Sequence, residues 1–324
     1  MINETPETQF SLSLVQEIPV VELPERLTVL EAVAFKQTVT QLLSEDADSS
    51  EIVLDFSKTK FIDSSGIGAL IANFKSARSQ DVDLVLESVQ PPVMATLSMT
   101  GLSDMLNIKS SAKWSRKESP ETHPSVRSIT KRSLDILGAI VGLIITAIVF
   151  VPIAIAIKLD SPGPILFSQI RCGWMGRKFR IWKFRSMYAN AEEMKNQIEN
   201  QASGAFFKND RDPRITAIGS FLRRTSLDEF PQFWNVLKGD MSLVGTRPPT
   251  PEEVEVYQIP EWQRLDVKPG MTGEWQVNGR SKVKNFEDVI ALDLQYQRNW
   301  SLYYDLKLIW KTVTIIFDKN SGAM

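Results

Sequence analysis

Asp228 and Glu229 are adjacent carboxylates in a stretch of chain crowded with cationic side chains. Lys183 and Arg185 alternate with aromatics upstream, in Phe179-Arg-Ile-Trp-Lys-Phe. Asp210-Arg-Asp-Pro-Arg214, Arg223-Arg224, Lys238-Gly-Asp240, Gly245-Thr-Arg247 and Asn278-Gly-Arg280 follow. Two neighbouring carboxylates can hold Mg²⁺ through oxygen while one of them attacks a phosphorus atom. An anion approaches an anionic diphosphate only if cations neutralise the phosphoryl oxygens, and the planar guanidinium fork matches phosphate in two places. Plainer readings stand beside this one. Adjacent acids at the start of a helix are ordinary partners of its dipole, and a Lys/Arg alternation is ordinary for the wet face of an edge strand.

A second feature is the polar turn Asp63-Ser-Ser-Gly-Ile-Gly, which leads straight into apolar periodicity. It reads as a helix N-cap in which an Asp or Ser oxygen accepts the free amide hydrogens of the first turn. A hydroxyl at a helix N-terminus is also where a phosphate is electrostatically favoured, so Ser64 is a candidate phosphorylation switch. The chain has one cysteine and one histidine, which rules out disulfide frameworks, Cys/His zinc sites and His-dependent triads.

The elements that must carry these residues fall into two parts. The chain has 324 residues, 43% of them apolar, and a net charge of −2; that size and composition predict a globular chain of two domains. Residues 1–126 hold 10 basic against 18 acidic side chains and residues 127–324 hold 27 against 21, so the second part is the one suited to anions. Residues 109–130 are rich in Ser, Pro and charge and read as a linker. Before it, strand-length apolar runs at Glu51–Phe56 and Val82–Glu87 alternate with helical spacing at Leu27–Leu43 and Gly66–Ala77, which predicts an α/β layer.

From Ile136 to Ile157 there are 22 residues without a charge, about 33 Å of helix, long enough to span a bilayer. Pro152 divides the segment, and basic residues flank both ends, Arg127, Lys131 and Arg132 before it and Lys158, Arg171, Arg177, Lys178 and Arg180 after it. A helix that enters the membrane, breaks at the proline and returns on the same face fits both facts; a kinked span and a buried soluble helix are the competing readings. Met1 to Pro24 lacks a basic start and an apolar core, so a cytoplasmic N-terminus is expected. Val289 to Phe317, with Trp300, Tyr303, Tyr304 and Trp310, reads as an amphipathic surface helix, and core packing explains the same aromatics equally well.

Residues 16–108, with FIDSSGIGAL and LVLESVQPPVMATLSMTGLSDML, resemble a STAS domain of the anti-sigma-factor-antagonist type. The resemblance implies a small sheet with packed helices and a serine, matching Ser64, that a partner kinase phosphorylates in regulatory members. Residues 131–317 resemble the bacterial sugar transferases, the monotopic phosphoglycosyl transferases. The matching stretches include SPGPILFSQIRCG, FRIWKFRSM, DPRITAIGSFLRRTSLDEFPQFWNVLKGDMSLVGTRP and VKPGMTGEWQVNGR.

That second resemblance implies transfer of a sugar 1-phosphate from a UDP-sugar to polyprenyl (undecaprenyl) phosphate in exopolysaccharide or other surface glycan synthesis. It implies Asp228 as the nucleophile of an aspartyl phosphosugar intermediate and Glu229 as its partner in holding Mg²⁺. Lys183, Arg223, Arg247 and Arg280 would bind phosphate or nucleotide oxygens. The expected architecture is therefore α/β (α+β). It comprises a STAS-like domain over 1–108, the linker, and a helix-rich transferase domain over 131–324 with a re-entrant helix at 134–159. Both soluble parts are expected on the cytoplasmic side of the inner membrane. The front domain is expected to serve a kinase or other regulatory partner, or homodimerisation, and no nucleic-acid partner is implied. The alternative is a membrane-tethered STAS regulatory protein with an inactive transferase half.

Overall fold

The computed structural model describes residues 10–16, 18–45, 50–109, 122–194, 198, 200–201, 209, 212–278, 283 and 285–317. The chain forms two units. The first takes in Met1–His123 together with Met175–Arg177 and Tyr257–Asp266, and the second takes in Pro124–Trp174, Lys178–Val256 and Val267–Met324.

In the first unit the strands are β1 (Ser11–Val15), β2 (Ile18–Glu22), β3 (Arg26–Leu27), β4 (Glu51–Asp55), β5 (Phe61–Ile62), β6 (Asp83–Glu87) and β7 (Asn107–Ile108). Its helices are α1 (Val29–Glu45), α2 (Ser64–Arg78) and α3 (Pro91–Thr100). The main sheet runs β1-β2-β4-β6-β7, antiparallel only at β1-β2, and β3 pairs with β5. The inner residues of β4 and β6, Ile52 to Leu54 and Leu84 to Leu86, are buried, as central parallel strands covered by helices require. The predicted α/β layer is present.

The second unit contains α4 (Pro124–Arg127), α5 (Ile129–Asp160), the antiparallel hairpin β8 (Leu166–Cys172) and β9 (Lys178–Phe184), and α6 (Ala191–Met194). After these come α7 (Ala217–Arg224), α8 (Phe233–Lys238), β10 (Ser242–Val244), α9 (Pro251–Glu255), β11 (Gly270–Thr272), α10 (Glu274–Asn278), α11 (Phe286–Arg298) and α12 (Leu302–Phe317). β10 and β11 pair in parallel.

α5 differs from the expected broken helix. It begins at Ile129 and runs as one element of 32 residues through Pro152. The proline removes one backbone donor, worth about 3 kcal/mol in an isolated helix. Packing on both sides of it offsets that loss: Val149, Phe150, Ile153 and Ile157 pack with Phe184 and Leu222. Nearer the N-terminus, Ala139 packs with Phe179, Ile181, Val236 and Met241, and Gly142 lies against the Phe233 ring. One stripe, from Lys131 through Asp135, Ala139, Gly142, Thr146 and Ile153 to Ile157, is thus buried along almost the whole helix. The other face is apolar and exposed, from Leu137 at 64% through Ile148 at 72% to Leu159 at 84%.

The basic flank before this segment also has a different role from the one expected. Lys131 is 4% exposed and pairs with Asp305 at 2.6 Å, while Arg132 donates to the carbonyls of Val236 and Leu237 at 2.7 Å each. These charges are interior ties, so they carry no weight in a count of charges next to lipid.

Candidate active site

The carboxylate pair sits in a single 3-10 turn, Leu227–Gln232, which follows α7 across Ser226. Ser226 adopts φ 56°, in the left-handed region, and this reverses the chain so that the turn faces β9. From β9, Lys183 donates to Glu229 Oε1 at 2.8 Å, and both side chains are about a quarter exposed, 27% and 28%. Asp228 is 5% exposed. The last turn of α7 supplies Arg223, whose Nε donates to Ser186 Oγ at 2.9 Å. Burial lowers the basicity of Arg223, while the nearby carboxylates of Asp228 and Asp212 support its charge.

Arg247 lies three residues after β10, and its fork closes on Glu253, with NH1 to Oε2 at 2.7 Å and NH2 to Oε1 at 3.0 Å. The guanidinium also lies 5.9 Å from the Trp275 ring centre. Beside it stands Arg171 of β8, which reading the sequence treated only as a flanking positive charge. Its NH1 donates to the Pro248 carbonyl at 3.0 Å and its NH2 to Gln169 Oε1 at 2.8 Å. Burial, then the charge of Arg247, pushes Arg171 down to about 10. Arg185, expected on a wet face, is buried instead and donates to the carbonyls of Pro162 at 2.6 Å and Ser161 at 2.7 Å. It caps the C-terminal end of α5 and takes no part in the site. Arg280 lies outside the described residues.

Arg171, Lys183, Glu229, Arg247 and Trp275 all line one cavity of about 740 Å³. Much of its remaining wall is apolar, including Leu137, Val141 and Ile145 from the outward stripe of α5 and Ile309, Val313 and Ile315 from α12. Asp228, in the same turn as Glu229, is buried and is not one of the residues that line the cavity. Of the C-terminal aromatics, Tyr304 stacks on Tyr296 at 6.2 Å and Trp300 donates to Asp305 at 3.1 Å, whereas Tyr303 and Trp310 are 77% and 70% exposed. The stretch read as one amphipathic helix is two, α11 and α12, and only α12 presents an apolar outer face.

No group of three or more His, Cys, Asp and Glu side chains placed to hold a metal ion occurs among the described residues. The dyad therefore offers two hard oxygen donors and no soft ones; burial pushes the Cys172 thiol up to about 11, so it stays protonated. Such a donor set fits Mg²⁺, which keeps waters and substrate phosphates as its other ligands.

Ser64 belongs to the first unit. It is the first residue of α2; the cap is Asp63, whose Oδ1 accepts from the Gly66 N–H at 2.8 Å. Ser64 is fully buried, donating from Oγ to the Trp262 carbonyl at 2.5 Å and from its N–H to Asp266 Oδ1 at 2.9 Å. Burial, then the Asp266 carboxylate, raises Asp63 to about 7, with Glu31 adding a smaller push and the Gly66 and Ser65 amides opposing it. An elevated carboxyl pKa makes the folded form cheapest when protonated, so this region loses stability as pH rises from about 4 to about 7 and changes little above that. Protection factors for α2 and 257–266 amides are expected to fall across that interval by an amount equivalent to about 2–4 kcal/mol. In Asp63→Asn, which keeps an acceptor for Gly66, the fall should be smaller, with Asp266, also raised by burial, left to titrate; a wild-type curve already flat between pH 4 and 7 contradicts the assignment.

A family model described as bacterial sugar transferase matches residues 126–319, and one described as STAS domain matches residues 9–113. A galactosyl transferase, CpsE, of Streptococcus agalactiae is 51% identical over 190 residues, covering 58% of this chain and 42% of its own. The UDP-glucose:undecaprenyl-phosphate glucose-1-phosphate transferase of Escherichia coli is 43% identical over 195 residues, covering 58% and 40%. The exopolysaccharide production protein ExoY of Rhizobium meliloti is 36% identical over 206 residues, covering 61% of this chain and 91% of its own. The chain thus spans about two fifths of the first two relatives and most of the third.

Proposed function

The chain belongs to the bacterial sugar transferase family, and on that premise we propose that it moves a sugar 1-phosphate from a UDP-sugar to polyprenyl phosphate in surface glycan synthesis. The observation that carries this reading is the make-up of the 740 Å³ cavity, with guanidinium, ammonium and carboxylate groups set into a wall to which α5 and α12 contribute apolar side chains. Its contents match an acceptor with an anionic head and a hydrocarbon tail, and a donor with a charged diphosphate. An inert anchor has no use for such groups.

In this reading an Asp228 oxygen forms a bond to the phosphorus that carries the sugar, the bond from that phosphorus to the bridging oxygen breaks, and UMP leaves. An oxygen of polyprenyl phosphate then attacks the same phosphorus and restores the Asp228 carboxylate. Arg171 and Arg247 neutralise the diphosphate oxygens, and Arg223 sets a positive charge near Asp228. Lys183 orients Glu229. Asp228 and Glu229 would hold Mg²⁺, which when bound supplies further charge neutralisation at the phosphates.

α5 supports a position at the membrane face without crossing. Its inner stripe packs on β9, α7 and α8 from end to end, so a crossing would draw those elements and their charges into hydrocarbon. Its outer stripe matches lipid, as do Tyr303 and Trp310 of α12. The test is purified full-length protein in vesicles containing polyprenyl phosphate, given single UDP-sugars and Mg²⁺. UMP and a lipid-linked sugar diphosphate are expected for one sugar or a narrow set. Impermeant labels should reach sites before α5 and after α12 from the same side. Failure of every UDP-sugar to release UMP overturns the activity, and labelling from opposite sides overturns the topology.

A further inference from the structure

Residues 257–266 lie within the span matched by the sugar transferase model, yet they fold as part of the first unit. They form a short 3-10 segment, Ile259–Leu265, whose start is fixed by Gln258 N–H donating to Glu261 Oε2 at 2.7 Å. Its two largest side chains are buried, Trp262 at 7% and Arg264 at 0% exposure, and Arg264 donates to the Tyr257 hydroxyl at 2.8 Å.

The seat of this segment is the first two turns of α2. Two hydrogen bonds from Ser64 reach it, one to the Trp262 carbonyl and one to the Asp266 carboxylate. Asp266 therefore occupies the position at the α2 N-terminus where an anion is electrostatically favoured. One turn further on, the Trp262 ring lies so close to Gly68 that a Cβ there would stand 2.5 Å from it. Gly68 is the gap that admits the ring.

We propose that residues 257–266 are a releasable latch over Ser64: seated, they seal the hydroxyl from solvent, and a negative group placed on residue 64 unseats them. The sealing follows from the burial of Ser64 and from its Oγ–H being directed at a carbonyl of the latch itself. The unseating follows from charge. A negative group at 64 is flanked by Asp63 and Asp266, in a pocket with no room for it and an anion already at the helix end. The state of these carboxyls supports the same conclusion, since burial raises both and the Asp266 charge raises Asp63 further. A kinase could reach Ser64 only after release, so opening of the latch precedes any modification. The loosened strap is continuous in the chain with Val256 and Val267 of the second unit, which offers a route from residue 64 to the transferase.

Gly68→Ala tests the latch without touching Ser64. Alanine is the better helix former by about 1 kcal/mol, so α2 itself is not put at risk, while its methyl group collides with the Trp262 ring. In full-length protein carrying Ser64→Cys, a maleimide probe is expected to label residue 64 at least tenfold faster when Gly68→Ala is added; the buried Cys172 gives the slow background. Equal rates overturn the proposal. Hydrogen exchange supplies the second arm. Ser64→Asp should speed exchange of 257–266 at least tenfold with β4 and β6 unchanged, and adding Asp266→Asn should reverse most of that. Unchanged exchange in 257–266, or exchange that rises only together with β4 and β6, overturns it.

Discussion

Replacing Asp228 with Asn is expected to lower the rate of UMP release by about four orders of magnitude, or about 5 kcal/mol in transition-state free energy. The side chain keeps its shape but loses the anion, and a neutral amide oxygen does not displace UMP from phosphorus. Asp228 is 5% exposed and its charge supports the buried Arg223, so stability is followed alongside activity. The measurement separates chemistry from folding. With UDP-sugar alone, the unaltered protein should release one UMP per active site as the aspartyl phosphosugar accumulates, and Asp228→Asn should release none. A full burst from that variant would remove Asp228 from the nucleophile's role, whatever happened to overall turnover. Glu229→Gln provides the contrast: Glu229 is more exposed and paired with Lys183, so its loss misplaces a partner and leaves the nucleophile in being.

Local features of this chain were readable from sequence and long-range ones were not. α1, α2, β4 and β6 follow from apolar period, because each buries one face or both against neighbours. β2 alternates in burial, but its sequence, Ile-Pro-Val-Val-Glu, does not alternate in polarity and carries Pro19, while β1 alternates in sequence and is exposed throughout, so neither matches the pattern by which strands are recognised. The dyad was legible because its two carboxylates are adjacent. Its partner Lys183 is 46 positions away, and only the turn at Ser226 brings them together.

Arg171 and Arg185 show how the same kind of alternating pattern serves two ends. Arg171 lies on β8 and Arg185 directly after β9, both among apolar neighbours, yet one enters the cavity and the other satisfies the carbonyls at the end of α5. No spacing rule distinguishes them, since the choice depends on which carbonyls the hairpin approaches. Residues 257–266 present the same difficulty at the level of domains, because a contiguous reading of the chain assigns them with their sequence neighbours. The signal that existed was Gly68, a glycine inside a helix with no turn to make, which marks a close approach by some other part of the chain.

Asp305→Asn is expected to destabilise the second unit by about 3 kcal/mol or more, the usual cost of leaving one member of a buried ion pair uncompensated. Lys131 and Asp305 are almost fully enclosed, 6% and 0% by side chain. Asp305 accepts from Lys131 at 2.6 Å, from the Tyr296 hydroxyl at 2.8 Å and from Trp300 Nε1 at 3.1 Å. Burial and that same carboxylate raise the Tyr296 hydroxyl well above its ordinary pKa, so it remains a donor. Lys131 and Tyr296 also both reach the Val244 carbonyl, at 3.0 and 3.1 Å. The cluster thus joins the first turn of α5 and the first turn of α12 to the last residue of β10, three positions before Arg247. Asn removes the charge that Lys131 requires and keeps a single acceptor oxygen, so either Tyr296 or Trp300, which donate to different oxygens of Asp305, also loses its acceptor. Adding Lys131→Met should therefore recover the charge-dependent part of the loss, while Lys131→Met alone strands Asp305 and should cost as much as Asp305→Asn. Denaturant midpoints of the four proteins in detergent measure this, and the coupling should be at least 2 kcal/mol, the scale expected when charges in one buried network fail to add. Costs that simply add would mean that the two charges are solvated separately, and that the tie between α5 and the Arg247 loop is made by packing alone.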